Sequence, residues 1–186
     1  RPDSEIGTWI VDPLDGTVNF AHGHPIFCVS IALQCEDLLR AGVVHAPFLG
    51  LTWQACRGKG ATRNGEPIRV STTDAMINAL CTSGFPYDRH SNEDDNLIEW
   101  GRMLKKAQGG RRCGSAAIDL CFIADGTYDA NWEKRLAPWD MAAGALIVEE
   151  AGGRVTSIDG SPVPPWPEVI VATNGKLHDL LIETIS

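Results

Sequence analysis

Trp9-Ile10-Val11-Asp12-Pro13-Leu14-Asp15-Gly16-Thr17-Val18-Asn19-Phe20 is the stretch on which the rest of the chain depends. Thr8 to Val11 reads as a buried strand that delivers Asp12, and Pro13 breaks it. Two carboxylates three apart across a proline bend can face one cation. Gly16 lets the backbone turn tightly, and Thr17 adds a hydroxyl and an amide beside them. Hard oxygen ligands on a rigid turn suit Mg2+, which keeps waters and is completed by substrate phosphate. The same residue types also make an ordinary strand-ending turn with solvated acids.

A second stretch, Ala137-Pro138-Trp139-Asp140-Met141-Ala142-Ala143-Gly144, opens an apolar run that ends at Glu149-Glu150-Ala151-Gly152-Gly153. Pro138 suits a first helical turn and the glycine pair suits a helix end. Asp140 then lies in the first turn, where the helix dipole favours an ionised carboxylate. A third acid is thereby available to the cation.

Asp12-Pro13-Leu14-Asp15-Gly16-Thr17 and Trp139-Asp140-Met141-Ala142-Ala143-Gly144 together resemble the two signatures of the inositol monophosphatase family of Mg2+-dependent phosphatases. Gly114-Ser115-Ala116-Ala117 and Glu133 stand at fitting places, and the resemblance runs from about Thr8 to the C-terminus. Gly84-Phe85-Pro86 and Arg112-Cys113-Gly114-Ser115 lean towards bacterial-type members. Haloacid-dehalogenase-type phosphatases carry Asp-x-Asp-Gly-Thr with the first Asp as nucleophile. Pro13 occupies that position here, which removes the covalent aspartyl-phosphate route.

The resemblance implies a layered α+β or α/β sandwich, the sugar-phosphatase fold, with the metal site between an antiparallel sheet and a mixed one. It implies that Asp12 bridges two Mg2+ ions, that Asp15 and Asp140 complete the second, and that the Leu14 carbonyl joins the first. Thr17 would orient the attacking water, and the Gly16 and Thr17 amides would hold the phosphate. Glu133 would bind substrate hydroxyls, with Gly114, Ser115 and Ala116 on the same side. On residue type alone, Glu133 also reads as an exposed strand-end acid. The implied reaction is hydrolysis of inositol monophosphate or a similar small polyol phosphate by metal-activated water. Fructose 1,6-bisphosphate and 3′-phosphonucleotides are the neighbouring substrates, and a non-catalytic interaction module is the alternative of a different class. A homodimer is implied by the family and not by any spacing in this chain.

Family members also carry an upstream Gly-Glu-Glu segment whose first Glu binds metal, and the chain starts after that point, with its N-terminal helices missing. Glu5 lies too near the strand of Asp12 to replace it. A polypeptide beginning at Arg1 is therefore expected to bind Mg2+ weakly and to hydrolyse slowly or not at all. Apolar surface on the first sheet is expected to stand exposed.

The chain has 186 residues, 44% hydrophobic and 22% charged, with a net charge of −8. That is enough for a substantial core. The acidic balance argues against a nucleic-acid surface, and no apolar run approaches a membrane span. Cys28, Cys35, Cys56, Cys81, Cys113 and Cys121 form no C-x-x-C pair and read as buried thiols of a reducing cytoplasm. His22 and His24 follow the Asp motif closely, either near the chemistry or capping a turn.

In order, 1–7 reads as a loop and Gly16 to Gly23 as a second loop, whose amides could cradle an anion. An antiparallel meander follows: a strand from Phe27, then Ala41 to His45 and Thr52 to Cys56, with a hairpin turn at Asn64-Gly65. Residues 1–73 form the remainder of an antiparallel-sheet subdomain, and 74–186 an α/β subdomain. The latter holds a strand over Ala79 to Thr82, a helix over Asn92 to Ala107 and a helix over Ala116 to Ala124. Strands over Tyr128 to Trp132, Arg154 to Ile158 and Val169 to Thr173 follow, then a closing helix over Asn174 to Ile185. The helix at Ala116 starts on Ser115, either a plain N-cap or part of an anion site.

Overall fold

The computed structural model describes residues 7–164 and 166–186. Strands β1 (Gly7–Asp15), β2 (Cys28–Cys35), β3 (Leu38–Ala46), β4 (Leu51–Cys56), β5 (Ala61–Arg63) and β6 (Glu66–Pro67) form one antiparallel meander in chain order. Helix α1 (Thr17–Ala21) lies between the first two. The second sheet is mixed. It is built from β7 (Leu80–Ser83), β8 (Gly109–Arg111), β9 (Ala130–Lys134), β10 (Arg154–Ser157) and β11 (Val169–Thr173), in the order β10-β11-β9-β7-β8. β7 runs parallel to both its neighbours, and the other pairs are antiparallel. The helices α2 (Leu97–Leu104), α3 (Ala116–Ala124), α4 (Pro138–Glu150) and α5 (His178–Ile185) complete the chain.

The layers alternate as expected. α3 and α4 pack on each other, α4 lies on β1 to β4, and α3 reaches β7, β9 and β11. α2 and α5 pair behind the second sheet. The larger buried cluster runs through the inner helix pair and draws on both sides of the 73/74 boundary, with Trp53, Ile118, Leu120, Met141, Leu146 and Ile170 among its members. A second cluster, around Met103, Trp132, Leu177 and Leu181, fills the space under α2 and α5.

Two close approaches fix α4. Gly42 on β3 lies where an added Cβ would meet the Ala143 carbonyl oxygen at 3.0 Å. One residue on, a Cβ at Gly144 would stand 2.6 Å from Leu120 Cβ of α3. The helix is thus wedged between sheet and helix at successive residues. The opposite face of the first sheet carries the expected apolar surface. Val11, Ile31 and Val43 align across three strands, as do Trp9, Leu33 and Ala41. Trp9 is 65% and Val11 45% exposed, so the strand that reads as buried from its apolar run is open on this face.

Several boundaries differ from expectation. Pro13 does not end the first strand: pairing runs on to Asp15 through a bulge between Asp12 and Asp15. A proline is tolerated there because the bulged edge strand needs no donor from it. The expected loop at Gly16–Gly23 contains the one-turn helix α1, whose Asn19 side chain donates to the carbonyls of Ile26 (2.7 Å) and Cys113 (2.8 Å). α2 begins five residues later than the expected 92. Asn96 adopts φ 74° and is buried, bonding Ser83 Oγ, the Gly84 carbonyl and Trp132 Nε1. α5 starts at His178 because Asn174 folds the preceding turn, accepting from the amides of Lys176 and Leu177. The strand expected at Tyr128–Trp132 lies two residues further on, which puts Glu133 inside β9. Cys28, Cys35, Cys81 and Cys121 are buried free thiols, whereas Cys56 is exposed. Residues 1–6, including Glu5, lie outside the described residues. None of the described helices is long and apolar enough to cross a membrane.

His178, which the sequence did not single out, is fully buried between two threonines. The Thr156 hydroxyl donates to the Ser157 carbonyl, so it accepts from Nε2 at 2.8 Å. The Thr173 hydroxyl lies 3.1 Å from Nδ1. This network assigns a neutral ring protonated at Nε2. Burial, helped by Arg154, pushes its pKa down to about 4. The unfolded chain therefore binds the extra proton first, and stability falls as pH drops from about 6.5 towards 4. The loss should reach roughly 2–3 kcal/mol, and chemical denaturation at pH 7 and 4.5 should show it shrinking in His178→Gln.

Candidate metal and phosphate site

Three elements meet at the site. The β1 bulge turns the chain so that Asp12 and Asp15 both point towards the start of α4, and Asp140 completes the group. One carboxylate oxygen from each of the three lies within 4.8 Å of the others. Each acid is also held by the chain. Asp12 Oδ1 accepts from the Leu14 amide at 2.9 Å. Asp140 Oδ2 accepts from the Ala137 amide at 2.8 Å, a helix-start bond that fixes its rotamer. The Ser30 hydroxyl donates to the Trp139 carbonyl at 3.2 Å and ties this helix start to β2.

Asp15 is the buried hub. Its Oδ2 accepts from Ser115 Oγ at 2.6 Å, the Ala117 amide at 3.0 Å and Cys28 Sγ at 3.7 Å. The anion seated on the N-terminus of α3 is therefore the chain's own Asp15, while the Ser115 oxygen also caps the Ile118 amide at 3.4 Å. Ser115 is thus an N-cap, and the anion its hydroxyl holds is a carboxylate of the chain itself.

Crowding raises the cost of charge. Burial pushes the Asp15 pKa up against its hydrogen bonds, and Asp12 adds to it. Burial, then Asp15 and Asp12, push Asp140 up to about 6. With Asp12 beside them, Asp15 and Asp140 fit a divalent cation, which repays their desolvation and the crowding of the carboxylates together. The donor set is all hard oxygen.

The adjoining cleft is lined by Asp15, Asp140, Gly114, Ser115, Ala116 and Glu133 among the expected residues. Leu14, Gly16 and Thr17 sit on the turn beside it. Thr17 is exposed, and its hydroxyl donates to the Leu14 carbonyl at 3.0 Å. Gly16, at φ 82°, passes so close to the Ile26 carbonyl that a Cβ would approach it to 2.7 Å. Glu133 is not the exposed strand-end acid its residue type allowed: it is 8% exposed. Burial, then Asp119, push its pKa well above the carboxylate range. Gly84 makes room for it, since a Cβ there would lie 2.0 Å from Glu133 Oε2. His22 and His24 are absent from the cleft lining.

The cleft also takes in Ser83, Gly84, Arg112 and Asp119, which the sequence reading did not name as site residues. For Asp119 a signal existed. It is the one acid inside the apolar run Ala116 to Ala124, four residues after Ser115 and so on the same helix face.

The match to the inositol monophosphatase family covers residues 3–186. The chain belongs to that family. It is 47% identical over 178 residues to the inositol-1-monophosphatase of Synechocystis sp., covering 96% of this chain and 62% of the relative. It is 44% identical over 181 residues to the Nus factor SuhB of Pseudomonas aeruginosa, covering 95% and 66% respectively. The chain thus spans about two thirds or less of the length of either. The structure of the inositol monophosphatase from Anabaena superposes with a TM-score of 0.94 at 43% identity, over 99% of this chain and 73% of that one.

Proposed function

We propose that the protein is a Mg2+-dependent phosphomonoesterase that hydrolyses inositol monophosphate or a similar small polyol phosphate. The observation that carries this reading is the three-carboxylate cluster at one end of a cleft whose lining includes the buried Glu133. Its membership of the family supports it.

Asp12, Asp15 and Asp140, with the Leu14 carbonyl, would hold the metal. Bound there, Mg2+ would neutralise the phosphate and lower the pKa of water. The chain's own groups position the rest. Because the Thr17 hydroxyl gives its proton to Leu14, it offers water a lone pair, which turns one water hydrogen towards Thr17. The Gly16 and Thr17 amides would donate to the phosphate oxygens. Glu133, with Gly114, Ser115 and Ala116 beside it, would accept from a hydroxyl of the leaving alcohol. A homodimer, drawn from the family resemblance, and a cytoplasmic location, drawn from the free thiols, complete the proposal.

Phosphate release from inositol 1-phosphate by the full-length protein, with any segment that precedes Arg1, should rise with Mg2+ to saturation and stop when the metal is chelated. Fructose 1,6-bisphosphate and a 3′-phosphonucleotide belong in the same panel. Absence of release from every monoester at every Mg2+ concentration would overturn the proposal. A second reading, a role as a Nus factor, rests on the name of the P. aeruginosa relative. Binding of that kind should survive loss of a single carboxylate charge.

A further inference from the structure

Of the buried acids that line the cleft, Asp119 has no part in the mechanism proposed above. It sits on α3, is 1% exposed, and lines the cleft with Glu133, Ser83 and Arg112. Its Oδ1 has no hydrogen-bond partner. Other buried aspartates are satisfied: Asp15 takes Ser115 and Ala117, and Asp129 takes Ser71 Oγ at 2.5 Å and the Leu80 amide at 2.7 Å. The Thr82 hydroxyl and Cys113 thiol lie close enough to favour the ionised form of Asp119, yet neither closes a bond on Oδ1. A buried acceptor left bare is costly, and beside a cleft it is satisfied by what enters the cleft.

The electrostatics agree. Burial pushes the Asp119 pKa up to about 7, and Arg112 is the cation that eases both Asp119 and Glu133. A donor from a ligand would relieve each acid. A phosphate oxygen offers none, so the complementary group is a hydroxyl of the leaving alcohol.

We infer that Asp119 is a second specificity-determining residue, which with Glu133 forms a pair of acceptors holding two hydroxyls of the phosphorylated polyol. This deepens the phosphatase reading and rests on it. The substrate class is a monoester whose alcohol carries free hydroxyls near the ester. A hydroxyl-free ester such as phenyl phosphate has nothing to give Asp119.

The test compares kcat/KM for inositol 1-phosphate and phenyl phosphate in the unmodified protein and in Asp119→Ala. The variant should lose at least about tenfold on inositol 1-phosphate, as for a lost hydrogen bond to a charged group, and little on phenyl phosphate. An equal loss on both substrates, or no loss, overturns the inference and leaves the phosphatase reading standing. Inositol 1-phosphate analogues lacking one hydroxyl beside the ester give an answer that does not depend on the variant folding. The unmodified protein should discriminate against at least one of them by about tenfold or more, because the analogue leaves a buried acceptor unpaired. In folded Asp119→Ala the discrimination should vanish for the analogue lacking the hydroxyl that Asp119 holds, as coupled partners require, and persist for one lacking the hydroxyl that Glu133 holds. Equal rates on all analogues in the unmodified protein, or discrimination left unchanged against every analogue in the variant, overturns the inference. No turnover of any ester by the unmodified protein overturns both readings.

Discussion

Asp140→Asn is expected to cut Mg2+-dependent phosphate release by about a thousandfold, the scale of the several kcal/mol that a catalytic metal supplies. The fold should be untouched. The amide oxygen can take over the 2.8 Å bond from the Ala137 amide, leaving its NH2 where a ligand oxygen stood. Burial, Asp15 and Asp12 hold the Asp140 carboxyl pKa at about 6, above its ordinary 3.8. The metal-free protein therefore loses stability as pH rises from about 4 to 6. The variant should remove that loss and gain roughly 1 kcal/mol above pH 6. Asp15→Ala should lose the same activity for a different reason. It strands the Ser115 hydroxyl and the Ala117 amide, which join β1 to α3. A destabilisation of about 3 kcal/mol follows from two buried donors without an acceptor. Thermal denaturation without metal, alongside phosphate release, separates the two. A rate in Asp140→Asn within tenfold of the unmodified protein would remove Asp140 from the chemistry.

How much of this was legible in the chain differs from residue to residue. Asp12, Asp15 and Asp140 were readable because proline, glycine and a helix start stand beside them, and those are local signals. The alternation of β2 and the apolar run of α4 were readable for the same reason, and the layered fold followed from them. What failed was decided at a distance. Pro13 reads as a strand breaker until β2 supplies the partner across the bulge. Asn96 reads as part of a helix until Ser83, Gly84 and Trp132 claim its side chain. Glu133 and Gly84 are far apart in sequence, and nothing local in either says that one vacates the space the other fills. His178 and Asp119 are ionisable side chains on helices that carry other polar residues, and only packing shows one fully satisfied and the other left with a bare oxygen. Short-range chemistry was written in the sequence, and the polar groups buried by tertiary packing were not.

Gly144→Ala is expected to destabilise the protein by about 2 kcal/mol, although alanine is the better helix former. Within an isolated helix the change would gain roughly 1 kcal/mol. Here the new Cβ would stand 2.6 Å from Leu120 Cβ and 2.7 Å from its Cδ1. The first of these atoms cannot swing away, because a Cβ moves only with its backbone. Retreat of α4 in the other direction is blocked at the preceding residue, where Gly42 leaves no slack against the Ala143 backbone. The strain must spread through α3, α4 and the first sheet, since interiors at this density transmit it. For a chain of this size Tm should fall by about 4–8 °C. The same displacement reaches the site, because α4 carries Asp140 in its first turn and α3 carries Ser115 at its cap. Mg2+ affinity should therefore weaken along with stability. A surface helix variant such as Gly101→Ala, where a Cβ meets nothing within 4 Å, should be neutral or stabilising and leave the metal alone. Equal melting temperatures for Gly144→Ala and the unmodified protein would mean that the two inner helices are not wedged and that Asp140 is held by its cap alone.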